Sequence, residues 1–340
     1  MPKWLTMDAP ESDVVVSTRM RLARNLADVP FPACLHDREE IERVHEGAKE
    51  SILKSSAFEY MRLSETDVLK KRALAERHII SPELARRRDG ALIVNEDESI
   101  SVMILEEDHY RLQTLSAGLT PDKAYGEVDL LDKMLADGVE YAFDEQLGFL
   151  TSCPTNAGTG LRASVMLHLP GLAATKGMPR VSAMVAKVGM TVRGAFGEGT
   201  AAAGALYQIS NQVTLGVGEQ EILDRLTTTA KTVNEFERGT RTELAKSLGV
   251  ALEDRVWRAV GLLKNARRMG GAEAQRLISD VALGLSLGIA GGLSSSEMYK
   301  LMMDTRPAII AEMHGKLSPS QRDVKRAEMI RDVLTQRCTG

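Results

Sequence analysis

The spacing of apolar residues changes once along this 340-residue chain, near Gln220. Before that point, short β-branched or alternating runs are separated by glycine-rich loops, and the clearest is a predicted hairpin over residues 91–105. After it, apolar residues recur at helical spacing in long segments, over 219–248, 251–268, 273–285, 295–304 and 319–336. The chain therefore predicts an α+β domain over 11–241, followed by an all-helical C-terminal domain over 242–340.

Local signals place further elements of the α+β domain. We predict strands from Val14 and over 162–169 and 207–215, helices over 37–55, 120–138 and 179–188, and a glycine-rich loop over 191–199. Thr120 and Ser318 each precede a proline. Each is therefore predicted to cap a helix whose first residue is that proline.

Arginines stand beside several loops where a phosphate-binding site would need them. The chain has no P-loop, no GxGxxG after a strand and no protein-kinase motif set. Arg19 and Arg21 would share one face of a strand, Arg111 follows an acidic cluster, and Arg162 and Arg193 adjoin glycine-rich loops. Guanidinium forks bind phosphate oxygens bidentately, so several together can hold a triphosphate. Taken singly, each also fits a solvated or ion-paired surface arginine.

Two carboxylates and a cysteine have the chemistry of a guanidinium site. Glu107 lies in the acidic cluster 106–109, Glu198 in a glycine-rich loop, and Cys153 in a loop of Pro, Thr, Asn and Gly. Carboxylates are natural partners of a planar cation, and one can take up the proton as a guanidinium nitrogen attacks phosphorus. A thiolate near arginines can also contact a guanidinium. Alternatively, the cluster around Glu107 is a polar turn, Glu198 is an ordinary loop carboxylate and Cys153 is a buried apolar residue.

Arg322 and Arg326 lie four residues apart on the last predicted helix, with Asp323 and Lys325 beside them. At that spacing the two arginines share a face and can hold a phosphorylated group. The spacing alone favours the alternative, an ordinary charged helix face.

The charge balance argues against general nucleic-acid or membrane binding, because the net charge is −4. Cys34, Cys153 and Cys338 form no CxxC pair and no disulfide framework, which suits a reducing cytosol. No apolar run approaches the ~20 residues of a membrane span, and the N-terminus lacks a signal-peptide pattern. The histidines lack metal-ligand spacing. We therefore expect a cytoplasmic protein without a structural metal site.

Several sequence blocks, in this order, resemble the phosphagen (guanidino) kinase family. They are Ser17-Thr-Arg-Met-Arg-Leu-Ala-Arg-Asn25, Leu105-Glu-Glu-Asp-His109, the loop 148–160 and Gln208-Ile-Ser-Asn-Gln212. Arg162-Ala-Ser-Val-Met166, Gly197-Glu-Gly-Thr200 and the RDxxRA element at 322–327 resemble the bacterial protein arginine kinase branch in particular. The resemblance extends from about residue 11 to 336 and is specific, since the blocks are several and ordered.

This resemblance implies a fold, a nucleotide site and catalytic residues. The fold is an antiparallel sheet flanked by helices. The implied ATP-binding residues are Ser17, Thr18, Arg19, Met20, Arg21, His78, Arg111, Arg162, Ala163, Ser164, Val165, Met166, Arg193, Gly194, Ala195, Phe196, Gly197 and Glu198. Glu107 is implied as the base, Glu198 as the second carboxylate and Cys153 as the reactive cysteine. Mg²⁺ would arrive with ATP, held mainly by phosphates and water.

The resemblance also implies an allosteric phosphoarginine pocket, formed by Arg322, Asp323, Val324, Lys325, Arg326 and Ala327. The chain has no room for the separate N-terminal helical domain of small-guanidine kinases, so we expect arginine side chains in proteins as acceptors. Two alternatives stay open: a kinase of free arginine or another small guanidine, and a non-catalytic phosphoarginine-binding adaptor.

The same branch implies partners. They are an activator protein, a heat-shock repressor and an Hsp100-type unfoldase that degrades the marked proteins in a stress response. The helical C-terminal domain suggests a homodimer.

Overall fold

An eight-stranded antiparallel sheet is the centre of the computed structural model, which describes residues 3–6, 9–194 and 203–337. The strands are, in chain order, β1 (Val15–Arg24), β2 (Phe58–Arg62), β3 (Ala91–Asn95), β4 (Ile100–Ile104), β5 (Tyr110–Ala117), β6 (Phe143–Asp144), β7 (Gly148–Phe149), β8 (Leu161–His168), β9 (Met190–Gly194) and β10 (Leu206–Asn211). The sheet has the order β2-β3-β4-β5-β1-β8-β10-β9, and β6 and β7 form a separate hairpin. Strand β1 thus lies in the middle, between β5 and β8.

Helices flank the sheet and then form the C-terminal unit. They are α1 (Arg38–Ile52), α2 (Val68–Glu76), α3 (Pro121–Ala136), α4 (Pro170–Ala174), α5 (Met178–Ala186), α6 (Glu219–Leu248), α7 (Val250–Asn265), α8 (Gly271–Ser286), α9 (Ser295–Asp304), α10 (Pro307–His314) and α11 (Pro319–Arg337). Within the described part of the chain, no helix combines the length and the apolar character needed to cross a membrane.

One face of the sheet is buried under α1, α3 and α6. Met20 and Leu22 of β1 point to this side, where they join a core that includes Val44, Val128 and Val233 of the three helices. The alternation of buried and partly exposed residues along β1 follows from the two-residue period of a strand.

The opposite face is covered only in part. Leu115 and Leu206 pack there in a second core with Trp4 of the N-terminal segment and Met302 of α9. The C-terminal unit therefore borders the same face of the sheet that carries the predicted arginines.

Helix α6 joins the two units. It is continuous from Glu219 to Leu248, so the predicted boundary between residues 241 and 242 lies inside it. Arg241 is buried, forms an ion pair with Glu237 and donates a hydrogen bond to the carbonyl of His168 at the end of β8. This part of α6 is thus still attached to the sheet, and the division into two domains stays a prediction.

Most of the predicted elements are confirmed, with two exceptions in detail. The β3–β4 hairpin and the helices that begin at Pro121 and Pro319 are present, and Ser318 caps α11 by accepting a hydrogen bond from the Gln321 N–H at 3.3 Å. Thr120 does not cap α3 with its side chain, because its hydroxyl is bonded to Ser116 and donates to the carbonyl of Ala117. The loop predicted over 191–199 is wrong for 191–194, which belong to β9, and 195–199 lie outside the described residues.

The sequence pattern did not predict α10. This helix has eight residues, and its apolar positions Ala308, Ile309, Ile310 and Ala311 are consecutive and all buried. Four consecutive buried positions do not show the spacing of three to four residues between apolar positions by which an amphipathic helix is recognised in a sequence.

Candidate active site

The strand register places four of the predicted arginines on one face of the sheet. Arg21 of β1 lies directly opposite Arg162 of β8, and Ala23 lies opposite Arg111 of β5. Arg19 precedes Arg21 by two residues and therefore shares its face. Positions that are distant in the sequence thus form one cationic row, as predicted.

The edge strands extend this row. Arg193 of β9 is paired with Gln208 of β10, whose Oε1 accepts a hydrogen bond from Arg19 Nη2 at 2.7 Å. Ser210, two residues further along β10, has its hydroxyl 3.4 Å from Arg162 Nη2. Gln208 and Ser210 therefore hold two of the arginines in position.

A cavity of 260 Å³ above this row, which we name the carboxylate cavity, brings together two of the three predicted catalytic residues, Glu107 and Cys153. Its lining includes Glu107, Cys153, Asn156, Arg21, Arg111, Arg162 and Arg193. An acid, a thiol and four guanidinium groups therefore face one space.

Two neighbouring glutamates bind one arginine at the rim of the carboxylate cavity. Glu107 accepts a hydrogen bond from Arg111 Nη2 at 2.7 Å, and its side chain is 43% exposed. Glu106 is buried and forms an ion pair with Nη1 of the same arginine. Glu107 is consequently accessible from the cavity, whereas Glu106 fixes the position of Arg111.

Asp108 and His109 hold the acidic turn in place. Asp108 Oδ1 accepts hydrogen bonds from the Ser152 N–H and from Asn25 Nδ2, both at 2.7 Å. His109 Nδ1 accepts a hydrogen bond from the Leu26 N–H at 3.0 Å, and both Asp108 and His109 are fully buried. Asp108 therefore ties the turn that carries Glu107 to the loop that carries Cys153.

The cysteine loop is shaped by its own polar groups. Cys153 is half-buried, and its Sγ lies 3.0 Å from Thr155 Oγ1, while Thr151 Oγ1 donates to the Cys153 carbonyl at 2.7 Å. Gly158 has φ +104°, and a Cβ there would lie 2.3 Å from the carbonyl oxygen of Thr214. The thiol thus faces the cavity, and the alternative of a buried apolar cysteine is wrong.

Two further cavities share walls with the first. The arginine cavity, of 550 Å³, shares Arg21, Arg111 and Arg193 with the carboxylate cavity. The apolar cavity, of 50 Å³, shares Arg19, His78 and Arg306 with the arginine cavity and is otherwise lined by groups such as Trp4, Leu115 and Met166. The arginine cavity is therefore large enough for a polyanion, and the carboxylate cavity next to it can take a cation beside Glu107.

Crowded positive charge prepares the arginine row for anions. Burial, followed by repulsion from Arg111 and Arg162, lowers the pKa of Arg19 to about 10. Burial and the same neighbours, together with Arg19, lower the pKa of Arg21 well below its ordinary value, although Glu106 opposes this. Guanidinium groups keep their proton in proteins, so these shifts show that the charges are held in a buried and mutually repulsive setting. A polyanion would relieve the repulsion.

His78 lies at the boundary of the arginine and apolar cavities, and its predicted contact with ATP stays a prediction. Its backbone has φ +63°, a sparsely populated conformation for a residue with a side chain, and its carbonyl accepts a hydrogen bond from Gln113 Nε2 at 2.9 Å. Burial, followed by repulsion from Arg306, Arg19 and Arg21, holds the pKa of His78 well below its ordinary value. The imidazole is thus neutral near pH 7.

Alternate residues of the predicted ATP-binding blocks point away from these cavities. Four of them are buried on the helix-covered face: Thr18, Met20, Ala163 and Val165. Three other residues of these blocks do line a cavity, the apolar one: Ser17, Ser164 and Met166. The side chains of the four residues on the helix-covered face therefore do not face the space in which a nucleotide would bind.

The last predicted ATP-binding block is described only at its start. Arg193 and Gly194 are the final residues of β9, and Arg193 lines two cavities. Ala195, Phe196, Gly197 and Glu198 lie outside the described residues. The role of Glu198 as a second carboxylate stays a prediction.

The RDxxRA element places its two arginines in different surroundings. Arg326 is buried, and it donates from Nε to the Thr305 carbonyl and from Nη1 to the Met269 carbonyl, each at 2.8 Å, and to Asp323 Oδ1 at 2.6 Å. Ala327 beside it is buried, whereas Val324 is exposed. Arg326 is therefore bonded within the protein interior.

Arg322 instead faces a cavity of 690 Å³ between α2 and α10, which we name the basic cavity. Lys71, Arg72 and Arg86 also line it. Lys325 is ion-paired with Glu328 and does not line it. In this structure Arg322 and Arg326 do not form a joint clamp.

The residue pattern missed Glu106, Gln208 and Arg306. Glu106 had a signal in its position beside Glu107, and Gln208 had one in the block 208–212. Arg306 precedes Pro307 in a segment without a motif, and only the packing of α9 and α10 brings it to the sheet.

A resident metal ion does not fit the donor groups that these cavities offer. Within residues 3–6, 9–194 and 203–337, no group of three or more His, Cys, Asp or Glu side chains could hold an ion. The wall between the arginine and carboxylate cavities is cationic. These surroundings fit a Mg²⁺ ion only when phosphate oxygens supply its ligands.

Comparison with known proteins agrees with this arrangement. Residues 40–240 match the family model described as ATP:guanido phosphotransferase, C-terminal catalytic domain, and residues 249–339 match that of the Protein-arginine kinase McsB C-terminal domain. The chain is 42% identical to the protein-arginine kinase of Bacillus mycoides (strain KBAB4), over 97% of this chain and 95% of that protein. It is 43% identical to the protein-arginine kinase of Bacillus pumilus (strain SAFR-032), over 98% and 93% respectively.

Solved structures show the same fold. A crystal structure of lombricine kinase superposes with a TM-score of 0.60 at 25% identity, covering 72% of this chain and 71% of that one. The substrate-free duplicated taurocyamine kinase from Schistosoma mansoni superposes with a TM-score of 0.59 at 20% identity, covering 92% and 49%. The second likeness concerns the fold alone.

Proposed function

The chain belongs to the protein-arginine kinases of the ATP:guanido phosphotransferase family, and from this premise we propose that it transfers the γ-phosphoryl group of ATP to arginine side chains in proteins. The observation that carries the proposal is the wall of Arg21, Arg111 and Arg193 between the carboxylate and arginine cavities. A phosphoryl group that crosses from one cavity to the other stays beside these three cations, which stabilise its charge.

Glu107 is the base in this proposal. A guanidinium nitrogen of the acceptor attacks the γ-phosphorus, a new N–P bond forms, and the bond from that phosphorus to the β–γ bridging oxygen breaks, which releases ADP. The nitrogen loses one proton, and the Glu107 carboxylate accepts it. Arg111, now bonded to Glu107 at 2.7 Å, can exchange part of this contact for phosphate oxygens.

Cys153 and Arg162 line the carboxylate cavity together with Glu107. The thiol contacts the guanidinium of the acceptor and helps to align it, and Arg162 binds the phosphoryl group as it is transferred. When Mg²⁺ is bound with ATP, it neutralises phosphate charge and orients the phosphates.

Mass spectrometry tests the reaction directly. The full chain is incubated with MgATP and an unfolded, arginine-rich protein, and peptides are processed without acid because a phosphoramidate is acid-labile. We expect phosphoarginine in the peptides and one ADP per phosphoryl group transferred. Binding of phosphoarginine without any transfer would instead identify the non-catalytic adaptor.

The acceptor class is tested in the same assay. We expect free arginine at equal concentration to release much less ADP than arginine in the unfolded protein. Equal or greater ADP release with free arginine would favour the small-guanidine kinase.

We also infer that the basic cavity is the phosphoarginine pocket of the RDxxRA element. Arg322 lines it together with Lys71, Arg72 and Arg86, and such cations bind phosphate. Two other residues of the element fix α11 in place: Arg326 donates to the Thr305 and Met269 carbonyls, before α10 and α8, and the Asp323 carbonyl accepts a hydrogen bond from the Met269 N–H. Isothermal titration with phosphoarginine should show binding that Arg322→Gln weakens.

We propose a cytoplasmic homodimer that marks proteins for an Hsp100-type unfoldase under stress and that acts with an activator protein and on a heat-shock repressor. Exposed apolar residues at the start of α7 and along it, among them Val250 (78% exposed) and Trp257, offer a face for dimerisation. Sedimentation of the full chain with and without Val250→Ser tests the dimer.

A further inference from the structure

Arg306 brings the C-terminal unit to the edge of the nucleotide site. It lies between α9 and α10, and its side chain lines both the arginine cavity and the apolar cavity, in company with Arg19 and His78. The carboxylate cavity does not include it. Arg306 is therefore on the side of the site away from the acceptor.

The position of Arg306 is fixed by bonds to the catalytic unit. Its Nη1 donates to the Glu76 carbonyl at 2.8 Å. The Glu76 carboxylate in turn caps α10, accepting from the N–H groups of Ala308 at 2.8 Å and Ile309 at 3.1 Å. These contacts hold α10 against the segment that presents His78, so Arg306 keeps a defined place beside the imidazole.

Several positively charged side chains lie close together in this corner, among them Arg306 and Arg19. Burial lowers the pKa of Arg306 to about 10, although the Glu76 carboxylate opposes the shift. After burial, Arg306 is the charge with the largest effect on His78, and its effect exceeds those of Arg19 and Arg21. An anion in the space between Arg306, Arg19 and His78 would relieve this repulsion in a poorly hydrated setting.

We propose that Arg306 is a nucleotide-binding residue, supplied by the helical C-terminal unit, that binds the phosphate of ATP nearest the nucleoside. The order of the cavities determines which phosphate this is. Arg21, Arg111 and Arg193 border the carboxylate cavity, toward which the phosphoryl group leaves. Arg306 lines the arginine cavity but not the carboxylate cavity, so it lies nearer the nucleoside end of a bound ATP. This inference rests on the proposed function, because it takes the site to bind ATP.

Titration with a series of nucleotides tests the inference. Affinities for MgATP, MgADP, AMP and adenosine are measured for the full chain and for Arg306→Gln, which removes the positive charge and keeps a polar side chain. We expect MgATP, MgADP and AMP to bind about 10- to 100-fold more weakly, as for the loss of a hydrogen bond between charged groups, and adenosine to bind as before. The KM for MgATP should rise while the KM for the acceptor protein is unchanged.

A matched control lies in the same unit. Arg331 also donates from Nη1 to a backbone carbonyl, that of Ala266, and lines none of the three cavities. Arg331→Gln should leave all four affinities unchanged. Unchanged affinity for MgADP and AMP in a folded Arg306→Gln variant would overturn the inference, and so would an equal loss of adenosine affinity.

Arg306→Lys covers the case in which Arg306→Gln does not fold. It keeps the charge but loses the planar fork, and we expect affinity for MgADP to fall about threefold or more. Wild-type affinity in this variant would also overturn the inference. If the wild-type chain itself binds no MgADP, the proposed function fails. If the wild-type chain binds MgADP and Arg306→Gln binds it equally well, the proposed function is retained and only the role of Arg306 is rejected.

Discussion

The polar face of the sheet and the last helix both carry arginines whose spacing predicts a shared face, and the protein uses the two sets differently. On β1, Arg19 and Arg21 have the predicted direction because both neighbouring strands fix the register. On α11, Arg326 is bonded to backbone carbonyls in the interior, while Arg322 lines the basic cavity. Strand pairing determines toward which face of the sheet a whole row of side chains points. One face of a helix, in contrast, can carry both a buried side chain and one that lines a cavity.

Glu107→Gln should have the largest effect of the variants considered, a loss of phosphotransfer, and it tests the site on the polar face of the sheet. The amide keeps the contact with Arg111 but cannot accept a proton, so phosphotransfer to a protein substrate should fall about 10²- to 10⁴-fold. Affinity for MgADP, measured by titration, should stay within about twofold of wild type, because Glu107 does not line the arginine cavity.

The exposed Glu145 of the β6–β7 hairpin serves as the control for this variant, since Glu145→Gln removes a charge away from the cavities. It should leave phosphotransfer unchanged. Retained activity in Glu107→Gln would show that another group accepts the proton.

Arg326→Met should have the next largest effect, on stability. Removing the guanidinium leaves the carbonyls of Thr305 and Met269 without this donor and Asp323 without its ion-pair partner in a largely buried setting. We expect the free energy of unfolding to fall by about 3–5 kcal/mol, measured by denaturant titration. A loss below about 1 kcal/mol would mean that Arg326 is as free to bind a ligand as its spacing suggests.

The same contrast determines how much could be predicted from the sequence. The arginine row and the β3–β4 hairpin follow from the two-residue period of strands. Ordered motifs led to Glu107, Cys153 and His78, which line the cavities while their roles stay predictions. The ion pair of Glu106 with Arg111 depends on side-chain packing that neighbouring positions in the sequence do not determine. Arg306 lies beside the arginine cavity because α9 and α10 pack against the catalytic unit, where Glu76 caps α10 in a contact across more than two hundred positions.

Thr18→Val sharpens the strand half of the comparison. Thr18 adjoins Arg19 in an implied ATP-binding block, yet its hydroxyl is buried, donates to the Gly118 carbonyl at 2.6 Å and accepts from the Thr120 N–H at 3.0 Å. Valine leaves both groups unbonded, so stability should fall by about 1–3 kcal/mol while affinity for MgADP is unchanged. Thr18→Ser, which keeps the hydroxyl, should lose less; a selective loss of nucleotide affinity in Thr18→Val would mean that this residue contacts ATP.

Arg322→Met should have the smallest effect on stability and is the matched partner of Arg326→Met. Its guanidinium makes a hydrogen bond of 3.3 Å to the Leu317 carbonyl and otherwise faces the basic cavity, so the free energy of unfolding should change by no more than about 0.5 kcal/mol. Phosphoarginine affinity, measured by titration, should nevertheless fall about 10-fold, as expected for the loss of a charged contact to phosphate. If Arg322→Met instead destabilises the protein as much as Arg326→Met, both arginines are structural, and the difference between an interior and an open position on this helix face disappears.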